Sequence, residues 1–152
     1  MPRFAEFNRP TEILLVDDNS TDALLIEECL KESGVKFNLR YIPTGVECMN
    51  FLTTRGQKEN QPLPDLILLD LNMPAMDGRE VMEVIQQNDD LRTIPVQVLS
   101  TSENEKDVRD LYRLGCSSYA YKPVDFEELQ ATIATIMTFW FKTALLPSID
   151  PH

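Results

Sequence analysis

Ligands for soft metals are scarce in this sequence. Its three cysteines, Cys29, Cys48 and Cys116, are scattered and form no CxxC pair, so neither a disulfide framework nor a zinc site is suggested. They read as small semi-buried residues of a protein kept in a reducing compartment, the cytoplasm. The one histidine, His152, ends the chain after Asp150-Pro151, and with no helical setting around it reads as a tail residue rather than a relay group. Long apolar runs are missing too. Nothing approaches the roughly 20 residues needed to span a bilayer, and the opening MPRFAEFNRP has no apolar segment of a secretory signal. No membrane association is expected. Basic residues are few, 14 against 25 acidic ones for a net charge of −11, which argues against a nucleic-acid partner.

What is present suits one soluble domain: 152 residues, 43% hydrophobic and 26% charged, enough to bury a single core. Short apolar runs alternate with longer stretches of helical spacing, the pattern of βα units around a parallel sheet. Strands are expected at Glu12 to Val16, Phe37 to Ile42, Asp65 to Asp70, Pro95 to Ser100 and Ser117 to Tyr121. Their near-continuous apolarity suits strands covered on both faces. Helices are expected after Asp18-Asn-Ser-Thr-Asp22, after Thr44 (with Glu47 completing a capping box), around Val81 to Ile85, over Glu103 to Leu114, and from Asp125 toward Pro147. Arg55 to Pro64 reads as a polar loop. The core is expected over residues 12–146, with an N-terminal arm at 1–11 and a tail at 147–152. The last helix runs close to the end of the chain and leaves no room for an output domain.

In an open sheet of five βα units, loops from the carboxyl ends of the strands share one crevice. Asp17 and Asp18 follow the first strand, Asp70 ends the third, Ser100 the fourth, and Lys122 follows the fifth. Singly, each has a plainer role: a helix cap, a solvated strand-end acid, a turn. Together they form a set of three carboxylates that repel one another unless a cation intervenes. An all-oxygen donor set suits a hard ion, Mg²⁺, far better than zinc.

These residues sit in longer motifs: Leu14-Leu-Val-Asp-Asp18, Leu68-Leu-Asp-Leu-Asn-Met-Pro-Ala-Met-Asp-Gly78, Val98-Leu-Ser-Thr101 and Tyr119-Ala-Tyr-Lys-Pro123. With them, essentially the whole chain resembles the CheY-like receiver domain of two-component response regulators. The resemblance implies a flavodoxin-like fold, a five-stranded parallel sheet of order 2-1-3-4-5 flanked by five helices. It implies Asp70 as phospho-acceptor, a Mg²⁺ site from Asp17, Asp18, Asp70 and the Asn72 carbonyl, and Lys122 on the phosphoryl oxygens. It makes Ser100, where the family more often has threonine, the hydroxyl donor, and Tyr119 the switch aromatic. It also implies a cis peptide at Lys122-Pro123 and a sensor histidine kinase as phosphodonor. The Asn-Met-Pro and Leu-Ser-Thr-Ser wording and the extended C-terminus further resemble small single-domain regulators paired with cyanobacterial phytochrome kinases.

Other classes fit less well. Haloacid-dehalogenase-like phosphatases also use an aspartyl nucleophile, but their second Asp stands where this chain has Asn72, which cannot transfer a proton. A nucleotide-binding module would need a glycine after the first strand. A silent receiver used only as a binding module would lack Asp18, Asp70 or Lys122, and all are present. In the final helix, Phe126, Leu129, Ile133, Met137, Trp140 and Ala144 are expected to face the sheet. Phe139, Phe141, Leu145 and Leu146 exceed what one core stripe can use. Packing of Phe4 and Phe7 could cover them, but a homodimer through this helix is the favoured reading.

Overall fold

A computed structural model describes residues 9–54 and 62–147; Phe4, Phe7, His152 and most of the expected 55–64 loop lie outside the described residues. The elements alternate as β1 (Thr11–Val16), α1 (Ser20–Lys31), β2 (Phe37–Ile42), α2 (Gly45–Thr54), β3 (Leu66–Leu69), α3 (Gly78–Gln86), β4 (Val96–Ser100), α4 (Glu105–Arg113), β5 (Ser118–Tyr121) and α5 (Phe126–Thr138). The five strands form one parallel sheet in the order β2-β1-β3-β4-β5. This is the order expected, and the strand bounds shift only at their ends.

Successive strand side chains point to opposite faces, so each apolar strand feeds two cores at once. Leu14, Val16, Ile67, Leu69, Val96 and Val98 pack with the α2, α3 and α4 residues Leu52, Met82 and Leu111. Ile13, Leu15, Leu66, Leu68 and Leu99 pack on the other face with Ile26 and Leu30 of α1 and with Leu129, Ile133 and Met137 of α5. Polar residues start the helices. Asn19, Asn104 and Asp125 each accept a backbone N–H from the first turn of α1, α4 and α5, and Asp77 with Glu80 forms a complete capping box on α3. At α2, Thr44 Oγ accepts from the Glu47 N–H at 3.1 Å.

The C-terminus departs from the expected straight helix. After Thr138 the backbone forms a π-helical turn over Phe139–Thr143, closed by the Ala144 N–H donating to the Phe139 carbonyl at 2.7 Å. This wider turn re-aims the side chains beyond it. Phe141, expected to flank the core stripe and be free for an interface, is 4% exposed and part of the α1/α5 core. Leu146 is half-buried against the same core. Phe126, expected inside, is exposed as the first residue of α5. Trp140 is half-buried, its indole N–H donating to Gln97 Oε1 at 3.1 Å. Phe139 and Leu145 remain exposed, at 47% and 65%.

Candidate functional site

The strand order reverses direction at β1 and β3, and their pairing puts Val16 beside Leu69. The next residue of each strand is an aspartate, so register alone places Asp17 next to Asp70. The Asp70 N–H donates to the Val16 carbonyl at 2.9 Å. On the other side, Ser100 pairs with Tyr121, and the Lys122 N–H donates to the Ser100 carbonyl at 2.7 Å. Four strands thereby deliver Asp17, Asp70, Ser100 and Lys122 to one crevice, all four buried.

Lys122 Nζ donates to Asp17 Oδ2 at 2.9 Å and lies 3.9 Å from Asp70 Oδ1. It also donates to Asp22 Oδ2 at 3.0 Å, a residue that sequence reading assigned only to helix capping. Asp22 lies one helical turn beyond Asp18, and that spacing was the signal available for it. The Lys122-Pro123 peptide is trans, not cis. The β4/β5 register already delivers the ammonium to Asp17, so the crevice needs no cis turn. Burial works against the Lys122 charge, but the hydrogen bond to Asp17, the nearby Asp70 and the bond to Asp22 outweigh it and hold its pKa above the usual lysine value.

Carboxylate oxygens of Asp17, Asp18 and Asp70 all lie within 4.8 Å of one another, with Asp18 on the exposed side. Burial pushes Asp70 up to about 7. Lys122 and the Leu71 N–H oppose the shift, while Asp17 and Asp18 add to it. With Asp22, four carboxylates face one ammonium, an imbalance that a hard divalent cation fits through oxygen ligands alone. Asn72 is exposed beside Asp70, in the loop that leads to α3. That loop closes tightly. The Gly78 N–H donates to the Leu71 carbonyl at 2.8 Å, and a Cβ on Gly78 would lie 2.9 Å from the Asp70 carbonyl oxygen, which is why glycine stands there. Ala75 pays for the turn with a φ of 66°.

Ser100 Oγ accepts the Ser102 N–H at 3.1 Å. Tyr119 is half-buried against the α2/α3/α4 core, and its hydroxyl donates to the Ser102 carbonyl at 2.8 Å. The expected hydroxyl and aromatic therefore meet at one loop residue, Ser102, that sequence reasoning did not single out.

The response regulator receiver domain family matches residues 13–134, and the chain belongs to it. It is similar to the response regulator Rcp1 of Synechocystis sp., 45% identical over 143 residues that make up 94% of this chain and 97% of that protein. Among solved structures, it resembles the phosphorylated cyanobacterial phytochrome response regulator RcpA (TM-score 0.86, 42% identity, covering 92% of this chain and all of that one). It also resembles the Mn²⁺-bound form of Rcp1 (TM-score 0.83, 45% identity, covering 91% and 100%).

Proposed function

We propose that this receiver accepts a phosphoryl group from a sensor histidine kinase onto Asp70 and passes the signal on by changing its protein contacts. The observation that carries the reading is the buried Asp70 carboxylate, 3.9 Å from Lys122 and clustered with Asp17 and Asp18. Asp17, Asp18, Asp70 and the Asn72 carbonyl would hold Mg²⁺, which when bound supplies positive charge for the phosphoryl oxygens. An Asp70 oxygen attacks phosphorus in line, and the donor's P–N bond breaks as the new P–O bond forms. Lys122 neutralises charge on the transferred oxygens, and Ser100 donates its hydroxyl proton to one of them. The chain acts as a signalling acceptor, catalysing only its own phosphorylation and dephosphorylation. Similarity to Rcp1 and to a phytochrome response regulator supports a phytochrome-type kinase as donor. A cytoplasmic setting fits three buried free thiols and such a partner. Among the described residues, no helix is long and apolar enough to cross a membrane.

The test is labelling with a small phosphodonor. Labelling should require Mg²⁺ and disappear in Asp70→Asn. Full labelling of that variant at another residue would refute the assignment.

A homodimer is the second element of the reading, resting on Phe139 and Leu145, the two of the four expected interface residues that stay exposed. A groove of about 680 Å³ runs between β5 and α5, lined by Gln97, Ala120, Ala131, Thr135, Phe139 and Trp140. Phe139 is exposed in this groove and Leu145 is exposed six residues further along the chain, whereas Phe141 belongs to the core. Two copies meeting here would bury apolar surface that one copy leaves in water.

A further inference from the structure

Every polar group of Ser102 is engaged. Its N–H donates to Ser100 Oγ at 3.1 Å, and its carbonyl accepts the Tyr119 hydroxyl at 2.8 Å. Its own hydroxyl donates to Asp107 Oδ2 at 2.6 Å and accepts the Asn104 N–H at 3.2 Å. Asp107, in the first turn of α4, accepts at its other oxygen from Arg79 of α3. The same guanidinium donates through Nε to Asp110 at 3.2 Å, and Asp110 also takes Lys106 at 2.9 Å. Arg79 therefore lies three hydrogen bonds from the Ser100 hydroxyl, through Asp107 and Ser102.

The direction of those bonds matters. A hydroxyl has one proton and two acceptor lone pairs. With the Ser102 amide on its oxygen, Ser100 keeps its proton for donation. Phosphoryl oxygens only accept, so this is the orientation that phosphoryl binding requires. The Ser102 amide points there because the loop is pinned at two other places, by Tyr119 at the carbonyl and by Asp107 at the hydroxyl. Asp107 is not itself fixed by burial, since its side chain is 25% exposed. The Ser102 hydroxyl, and after it Arg79 and Lys106, hold it ionised below the usual carboxylate range despite partial desolvation. Arg79 spans Asp107 and Asp110 from one planar fork, a geometry that a lysine ammonium cannot reproduce.

We propose that Arg79 is a positioning residue for phosphoryl acceptance: acting through Asp107 and Ser102, it aims the Ser100 hydroxyl at the group formed on Asp70. The proposal rests on Asp70 being the acceptor. It also couples the α3–α4 contact to Tyr119, because both are fastened to Ser102.

The experiment is calorimetric titration of the full chain with beryllofluoride in Mg²⁺, a mimic of the acyl phosphate. Arg79→Gln should weaken the mimic by roughly threefold to fivefold, the scale of one partly exposed charged link. Affinity for Mg²⁺ alone should stay within about twofold, since Arg79 touches no proposed metal ligand. Arg79→Lys should restore only part of the loss. In a Ser100→Ala background, Arg79→Gln should have no further effect, a result that general destabilisation would not produce. Unchanged mimic affinity in Arg79→Gln overturns the proposal, as does an undiminished loss in the Ser100→Ala background. If Arg79→Gln does not fold, Asp107→Asn is judged by the same two outcomes. A wild-type chain that does not bind the mimic overturns the Asp70 reading itself, and is told apart because no substitution is involved.

Discussion

Replacing Asp70 with asparagine should make the metal-free protein more stable, even though it removes the proposed acceptor. Burial pushes the Asp70 carboxyl up to about 7 from its usual 3.8, with Asp17 and Asp18 adding to the shift against the pull of Lys122. A folded value above the unfolded one means that the native state holds the proton more tightly. The stability tied to this proton is fully present below the unfolded value, and it is lost as pH rises through about 7. About three pH units at 1.36 kcal/mol each put the cost of ionised Asp70 at pH 8 on the order of 4 kcal/mol. Asparagine avoids that cost, which is already net of the attraction to Lys122, and Lys122 keeps Asp17 and Asp22 as partners. A gain approaching about 4 kcal/mol is expected at pH 8 in chelator, which for a domain of this size raises Tm by about 8–16 °C. At pH 5 the gap should shrink to about 1–2 kcal/mol, because native Asp70 then keeps its proton while the unfolded chain has largely lost it, and it should close below about pH 4. Saturating Mg²⁺ should narrow the gap at pH 8, since it binds the native wild type best. Urea melts of both proteins at pH 5 and 8, with chelator and with Mg²⁺, test each arm. A gap that does not change with pH, or a variant less stable at pH 8, would refute the electrostatic account.

Asp18→Ala should weaken Mg²⁺ binding by about tenfold or more, because it removes one of three clustered carboxylates; an unchanged titration would leave Asp18 as a polar residue before α1. Phe139→Ala with Leu145→Ala should shift the chain toward monomer in sedimentation velocity, because burying each such side chain is worth about 2 kcal/mol. A dimer indifferent to both substitutions, or a monomer in every state with or without beryllofluoride, would count against this face. Ala75→Gly should stabilise the fold by about 0.5–1 kcal/mol, relieving a left-handed backbone less the added freedom of glycine when unfolded. A drop in the urea midpoint would show that the turn carries no such strain.

The strands and the gathering of their terminal polar residues were legible in the sequence because both follow from local periodicity. An apolar run such as Leu66–Leu69 must be covered on both faces, and the polar residue that ends it must emerge at the rim of the sheet. Asp17, Asp70, Ser100 and Lys122 are all of that kind. Contacts that depend on the azimuth of a helix were beyond that reach. Asp22 joins Lys122 across 100 residues because α1 turns that face toward the crevice, and periodicity does not say which polar face meets which loop. Arg79 and Asp107 meet only because α3 and α4 pack side by side, and Ser102 became a junction only when the loop after β4 was folded against both. At the C-terminus, helical spacing put Phe141 beside the core stripe and counted it toward an interface, whereas in the π-helical turn it is wholly part of the core. A break in helical pitch follows from the packing of the whole face, because local spacing carries the repeat but not the point at which tertiary contacts override it.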